Sequence, residues 1–521
     1  MAMLALSLVT PAGASSALSD RQLHQEAVVL FQSAYRQIQE YYLDPVSLEN
    51  LAVSGIAGLD APDHSFMAGE SDHHVTLLEL DRETSRLPAP DADDVNGWAE
   101  VTADAIVAAR NHSRELVDAT DEALFQRVFD GVTARLDRFT RYAGRDQARE
   151  QRAARDGFGG IGVTLDYSEP TPRISSVVPD QPSFRAGIKV DDRIIAIDDT
   201  AITRLNQEEV VAHLRGPLNS RVTLQIARPK LDHPLSFTLI RKQIVQPTVT
   251  GELLDGGIAV FRLEGFNVST ATDLEQEIRK VKARAETGLR GAVLDLRSNP
   301  GGLLDQAALV ASLFLDHGDI VSTVGRHPTS AQYFGASADD HLRGIPLVVL
   351  VNGGSASSSE IVAAALQDDG RAVVIGSSSY GKGTVQMVLR LENSGELTLT
   401  WARLIAPSGY MLHGHGIVPA FCTSVPVDPT ATPIDETTQL RRIIDTGLHP
   451  PSPEEKAPRA SLSDPAWARL RASCPADTRE SPFDLKVATS LLADPALYAR
   501  ALSQSVDNLA RAGHASPPTL H

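Results

Sequence analysis

PLVVLVNGGSASSSEIVAAALQDDG, residues 346–370, runs from a short apolar stretch through two glycines and a cluster of serines into the helical spacing of Ile361, Val362, Ala365 and Leu366. An apolar run without alternation, bounded by turn residues, is the pattern of a strand buried on both faces. The stretches around it repeat the unit. IAVFRL (258–263), GAVLDLR (291–297) and RAVVIG (371–376) read as strands, and TDLEQEIRKVKARAE (272–286) and LLDQAALVASLFLDHG (303–318) as amphipathic helices. Strands alternating with helices predict a mainly parallel sheet covered on both faces. In such sheets chemistry collects beyond the carboxyl ends of the strands.

Three unusual loops follow three of these strands: DLRSNPGG (295–302), NGGSASSSE (352–360) and SSSYGKGTVQ (377–386). A serine on the strand-to-helix turn of the second loop sits at a helix N-terminus, where amides and the helix dipole stabilise negative charge. This suits an acyl-transfer nucleophile with its oxyanion hole. Ser357 followed by Glu360 reads equally as a capping box with no chemistry attached. In the third loop, GSSSYGKG (376–383) nearly matches a phosphate-binding P-loop. Against that reading, Gly383 stands where the metal-binding hydroxyl belongs, and TVQMVLRL (384–391) alternates like a strand where a helix is required. The three loops contain no histidine, so Lys382 is the candidate base. To be half neutral near pH 7 a lysine must fall from about 10.4 by some three units, which calls for burial and the absence of a carboxylate partner.

Outside this region the character changes. Residues 158–246 break into short alternating runs, RISSVV, DRIIAIDD, RVTLQIAR and LSFTLIRK, with one helix, NQEEVVAHLRG, and predict a small β-barrel plus helix. Residues 23–42 space Val28, Phe31, Tyr35, Ile38 and Tyr42 as a helix, and helical stretches ending at Asp60 and Asp137 follow. Between those endings, residues 68–118 show weak periodicity and predict an inserted, partly helical or mobile segment. Helical stretches near 435–446, 463–472 and 483–511 occupy a tail from 426 to 521 that is rich in Pro, Thr, Asp and Arg.

The order NPGG, GGSASSSE and YGKGTVQ, preceded by a segment beginning FGGIGV, resembles the C-terminal processing peptidases, also called tail-specific proteases, which are Ser/Lys serine peptidases with a PDZ domain. The resemblance covers residues 158 to about 425 and implies Ser357 as nucleophile, Lys382 as base and Gln386 as the residue orienting that lysine. It further implies oxyanion donation by the backbone of Ser358 and of Gly301 or Gly302. Ser358 departs from the alanine common at its position. The PDZ-like segment is expected to hold a substrate's C-terminal tail as an added strand, with its carboxylate at Gly160, Ile161 and Gly162 and its apolar end residue against Phe158 and Val163. Asp295 and Arg297 are expected to support the NPGG turn.

The expected architecture is thus an α/β multidomain chain: a helical N-terminal region (15–157), a PDZ-like barrel with helix (158–246), an α/β/α catalytic domain (247–425) and a partly helical tail (426–521). With 521 residues, of which 42% are hydrophobic and 22% charged, several folded units are expected. An excess of 66 acidic over 48 basic residues gives a charge of −18 and removes the attraction that drives nucleic-acid binding. Residues 1–14, ending in Ala12, Gly13 and Ala14, read as a signal peptide without a basic start, and predict export to the periplasm; a merely apolar N-terminus is the alternative. No stretch reaches membrane-spanning length, so no integral membrane segment is expected. The partners expected are protein or peptide substrates with free C-terminal tails, with homo-oligomerisation left open. No cofactor or metal is expected: His73, His74, His413 and His415 lack acidic or cysteine companions in sequence. Cys422 and Cys474 could form one bridge. A peptide-binding scaffold without turnover is the competing function.

Overall fold

The structure, a computed structural model, describes residues 19–60, 66–71, 74–79, 82–113, 115–337, 339–424, 435–449 and 458–507. Residues 1–14, read as a signal peptide, and His73 lie outside the described residues. The chain forms two units. One holds residues up to Arg149 together with Gly325–Ala331 and Val385–Ala402; the other holds Glu150–Val324, Gln332–Thr384 and the chain from Arg403 onward.

In the first unit the helix Asp20–Tyr41 starts in a capping box made by Ser19 and Gln22 and buries Leu23, Leu30, Phe31, Tyr35 and Ile38. It packs on the helix Val95–His112. The helices Leu48–Ala57 and Asp121–Thr133 meet backbone to backbone. A Cβ on Gly131 would stand 2.2 Å from the Ser54 carbonyl oxygen, so this crossing admits only glycine. The segment 68–118, expected to be inserted, partly helical or mobile, contains the helix Val95–His112 and also strand that was not expected. Phe66–Ser71, His74–Glu79 and Arg82–Pro88 form a three-stranded antiparallel sheet in which Phe66, Val75 and Leu77 join the helical core. Leu391, Leu397 and Leu399, which follow the GKG loop in sequence, belong to the same core.

The second unit carries a five-strand run in the order Leu235–Ile240, Arg221–Ala227, Arg193–Ile197, Arg173–Val177, Val163–Asp166. Ile174, Ile194, Val222 and Leu224 pack there with Val210 and Leu214 of the helix Gln207–Leu214. Val163–Asp166 ends the row and, among the described residues, pairs only with Arg173–Val177. Asp192, fully buried, is held by the Arg228 guanidinium at 2.8 Å.

The same unit contains the larger sheet, ordered Val249–Leu254, Ile258–Leu263, Gly291–Asp295, Leu347–Val351, Val373–Gly376, Phe421–Cys422. Its first pair is antiparallel and the rest are parallel. Val293, Val348, Leu350, Val373 and Ile375 face a cluster that includes Ile443, Val487, Leu491 and Tyr498. One layer over this sheet is therefore supplied by the helices Glu436–Gly447, Pro482–Ala493 and Pro495–Asp507, which the sequence places in a tail. Alternate residues Ala292, Leu294, Val349 and Val374 point the other way and are as fully buried.

Replacing Gly131 with alanine should cost about 1–3 kcal/mol through overpacking against the Ser54 carbonyl. Denaturant unfolding of the Gly131→Ala variant checks this, and an unchanged midpoint would contradict the described crossing.

Candidate active site

The three loops leave the carboxyl ends of neighbouring parallel strands, Gly291–Asp295, Leu347–Val351 and Val373–Gly376, which is why residues far apart in sequence meet. Ser357 has φ 55° and ψ −113°, and the helix Ser358–Asp368 starts at the next residue. A serine held in so sparsely populated a conformation is sustained only by its surroundings. Gly301 supplies part of them. At φ 96° it lies so close that a Cβ would come within 2.9 Å of the Ser357 Cβ and 2.7 Å of the Ala356 carbonyl oxygen.

The neighbouring hydroxyls stitch this turn to the NPGG loop. Ser355 Oγ donates to the Leu296 carbonyl at 2.8 Å, Ser358 Oγ to Gly302 at 3.0 Å and Ser359 Oγ to Asn299 at 2.9 Å. The extra hydroxyl of Ser358 thus has a holding role. Of the serines in the loop, Ser357 alone is partly exposed.

Glu360, fully buried, joins the second loop to the third. Its carboxylate accepts the Ser357 amide at 2.8 Å and the Lys382 amide at 2.9 Å on one oxygen. On the other it accepts the Gly381 amide at 2.6 Å and the Ser379 hydroxyl at 2.5 Å. Burial pushes its pKa up from the ordinary 4.5, while these four donors pull it down. The base loop is also packed from outside: Gly414 donates to the Gly381 carbonyl at 3.0 Å, and a Cβ on Gly383 would meet the His413 amide nitrogen at 1.9 Å. Gly383 is therefore glycine for close packing. The chain continues into the strand Thr384–Arg390, which removes the helix that a P-loop needs.

The C-terminal chain ties down all three loops. Arg297 donates to Asp295 at 2.8 and 2.6 Å and to Asp484 at 3.1 Å. The Gly353 amide and Ser377 hydroxyl donate to the Asp477 carbonyl at 2.8 and 3.1 Å, and Asn352 reaches the Thr478 carbonyl at 3.0 Å. Cys422 and Cys474 form a disulfide.

Among the residues singled out from sequence, the structure brings together Ser357, Ser358, Gly301, Gly302 and the Lys382 backbone. The Gly301 amide is engaged by Asn299 Oδ1 at 2.9 Å, which favours Gly302 over Gly301 as a donor beside Ser358. Gln386 falls in the other unit, where its amide nitrogen donates to Thr400 Oγ1 at 3.3 Å. Gly160 pairs with Lys242, and Gly162, at φ 79°, would press a Cβ to 2.4 Å from Gln181. Phe158 is overlaid by the Arg215 guanidinium at 4.0 Å, Ile161 is buried, and Val163 opens the end strand. His74 begins a strand in the first unit, and the His415 ring stacks on Trp467 at 4.7 Å. Sequence reasoning saw Glu360 only as a cap; a carboxylate followed directly by the apolar run Ile361, Val362, Ala363, Ala364, Ala365 and Leu366 was the available sign of a buried role.

Residues 257–421 match peptidase family S41 and residues 173–228 match a PDZ domain. The chain is 38% identical over 309 residues to the carboxy-terminal-processing protease of Bartonella bacilliformis, covering 59% of this chain and 71% of that protein. It is 30% identical over 331 residues to the carboxy-terminal processing protease CtpA of Bacillus subtilis, covering 63% and 70%. A solved photosystem II D1 C-terminal processing protease is similar at 23% identity and a TM-score of 0.36, over 78% of this chain and 95% of that one. The family match and these relatives define a serine peptidase. The chain belongs to the carboxy-terminal-processing proteases of peptidase family S41.

Glu360 gives the site a pH signature in stability. With its native pKa raised by burial, its contribution is full below the ordinary 4.5 and is lost as pH rises through the native value. Urea midpoints of wild type and Glu360→Gln between pH 4 and 8 should show wild type losing ground to the variant as pH rises. A constant gap would contradict it.

Proposed function

We propose that the protein is an endopeptidase that hydrolyses peptide bonds with a Ser357/Lys382 dyad through an acyl-enzyme. Ser357 Oγ attacks the scissile carbonyl carbon while the neutral Lys382 Nζ takes its proton; the same lysine then delivers that proton to the departing amine. Water, deprotonated by Lys382, attacks the ester, and Ser357 leaves with the proton restored. The amides of Ser358 and Gly302 receive the oxyanion of both tetrahedral intermediates, Ser358 from the first turn of a helix whose leading N–H groups have no intrahelical acceptor. The observation that carries this reading is the shared carboxylate: Ser357 and Lys382 hang by their amides, at 2.8 and 2.9 Å, on one oxygen of Glu360.

The PDZ domain, on this reading, selects substrates by their free C-termini. The end strand Val163–Asp166 has an open edge for an added strand, and the amides of Ile161 and Gly162 precede it. The pairing of Cys422 with Cys474 supports action in an oxidising compartment after export. Among the described residues no helix is long and apolar enough to cross a membrane.

Ser357→Ala and Lys382→Ala should each lower kcat by roughly 10³-fold or more, and the double variant should be little worse, because nucleophile and base act as a unit. Product analysis by mass spectrometry on unstructured peptides checks this, and substantial turnover by either variant would remove the mechanism. With wild type, amidating the peptide C-terminus should raise KM while kcat changes less; equal KM values would remove tail selection.

A further inference from the structure

The helix Asp464–Ser473 lies beyond the residues that match family S41, yet its Arg471 reaches the centre of the site. Its guanidinium donates to the Ser379 carbonyl at 2.8 Å and to the His415 carbonyl. Ser379 lies in the base loop, and residues 413–416 form the turn packed on Gly381 and Gly383. Gly416 measures how near the cation comes to Glu360. The position of a Cβ on Gly416 lies 2.8 Å from Arg471 Nη1, 2.9 Å from Glu360 Oε1 and 2.6 Å from Ser379 Oγ, so the guanidinium and the buried carboxylate flank one glycine. Any side chain there would be driven between them.

The helix is fixed against the turn by more than this arginine. Trp467, buried to 2% exposure, stacks on His415 at 4.7 Å and contacts Tyr410 at 5.0 Å, and Cys474 at the helix end is bonded to Cys422. Cys422 pairs with Gly376 at the end of the strand that leads into the base loop. Half-buried Arg471 donates to two carbonyls, neither of which requires a full charge. A full positive charge is useful at this place because a carboxylate taken out of water is held ionised by donors and by a nearby cation together.

We propose that Arg471 is a positioning residue for the peptidase reaction, its charge holding the Glu360 carboxylate ionised so that the Ser357 and Lys382 amides stay on one oxygen. This rests on the dyad reading above. A purely structural arginine, capping two carbonyls to seat its helix, needs hydrogen-bond donors and no charge.

Arg471→Lys keeps the charge, whereas Arg471→Gln keeps neutral donors and loses it. Steady-state cleavage of an unstructured peptide should show kcat at least tenfold lower for Arg471→Gln with KM within twofold, and kcat within about threefold of wild type for Arg471→Lys. Circular dichroism and thermal melts report whether each variant folds. Should Arg471→Gln fail to fold, the lysine variant decides alone: near-wild-type kcat supports the charge role and a tenfold loss overturns it. Full kcat in folded Arg471→Gln, equal losses in both variants, or a loss confined to KM also overturns it. Ser357→Ala assayed alongside separates the two readings. Turnover by Ser357→Ala defeats the dyad itself, whereas an inert Ser357→Ala beside a fully active Arg471→Gln defeats only the role given to Arg471.

Discussion

The carboxylate of Glu360 is taken wholly out of water and surrounded by three backbone amides and one hydroxyl drawn from two loops. Burying a carboxylate is costly unless its lone pairs are filled, so each donor that moved away would leave an expensive vacancy. The geometry of the site follows from satisfying that one group. Ser357 sits on one side of it and Lys382 on the other, and a change in the distance between their backbones breaks a bond to an acceptor that has no solvent to replace it. The strained φ of Ser357 is sustained in the same way, by Glu360 below and Gly301 alongside.

Such a clamp works only if its loops arrive from a rigid frame. The parallel strands Gly291–Asp295, Leu347–Val351 and Val373–Gly376 deliver the three loops to one end of the sheet, and alternate residues of each strand are buried on both faces. One covering layer comes from helices beyond residue 435, and Asp484 in the helix Pro482–Ala493, with Asp477 and Thr478 just before it, returns to the loops. The C-terminal chain therefore holds the three loops in place through packing and hydrogen bonds.

Much of this was legible in the sequence because local signals and global fold agree there. Apolar runs such as LVVLV and AVVIG can be satisfied only in a sheet covered twice, and the loops after them had to share an edge. Ser357 and Lys382 were marked by loop chemistry, and the resemblance to tail-specific proteases supplied their roles. What stayed hidden depends on long-range partners. The alternation of FMAGES and HVTLLE is short and interrupted by charge, and Phe66, Val75 and Leu77 are buried by helices up to about forty-five residues away in the chain. The helices after residue 435 carry mixed patterns because they cover a sheet with one stripe and meet each other with another. Glu360 satisfied a local rule, the capping box, so well that its contacts with Gly381 and Lys382, about twenty residues on, had no separate trace. Arg471 is one arginine among many until the turn at 413–416 is folded beneath it.

The central claim is that Glu360 holds Ser357 and Lys382 in reacting register. The rate at which a fluorophosphonate probe labels Ser357, followed by intact mass, reports nucleophile activation without a peptide substrate. In Glu360→Ala, with circular dichroism and binding of a free-tailed peptide preserved, labelling of Ser357 should slow to the level of Lys382→Ala. Labelling at the wild-type rate in that folded variant would contradict the account.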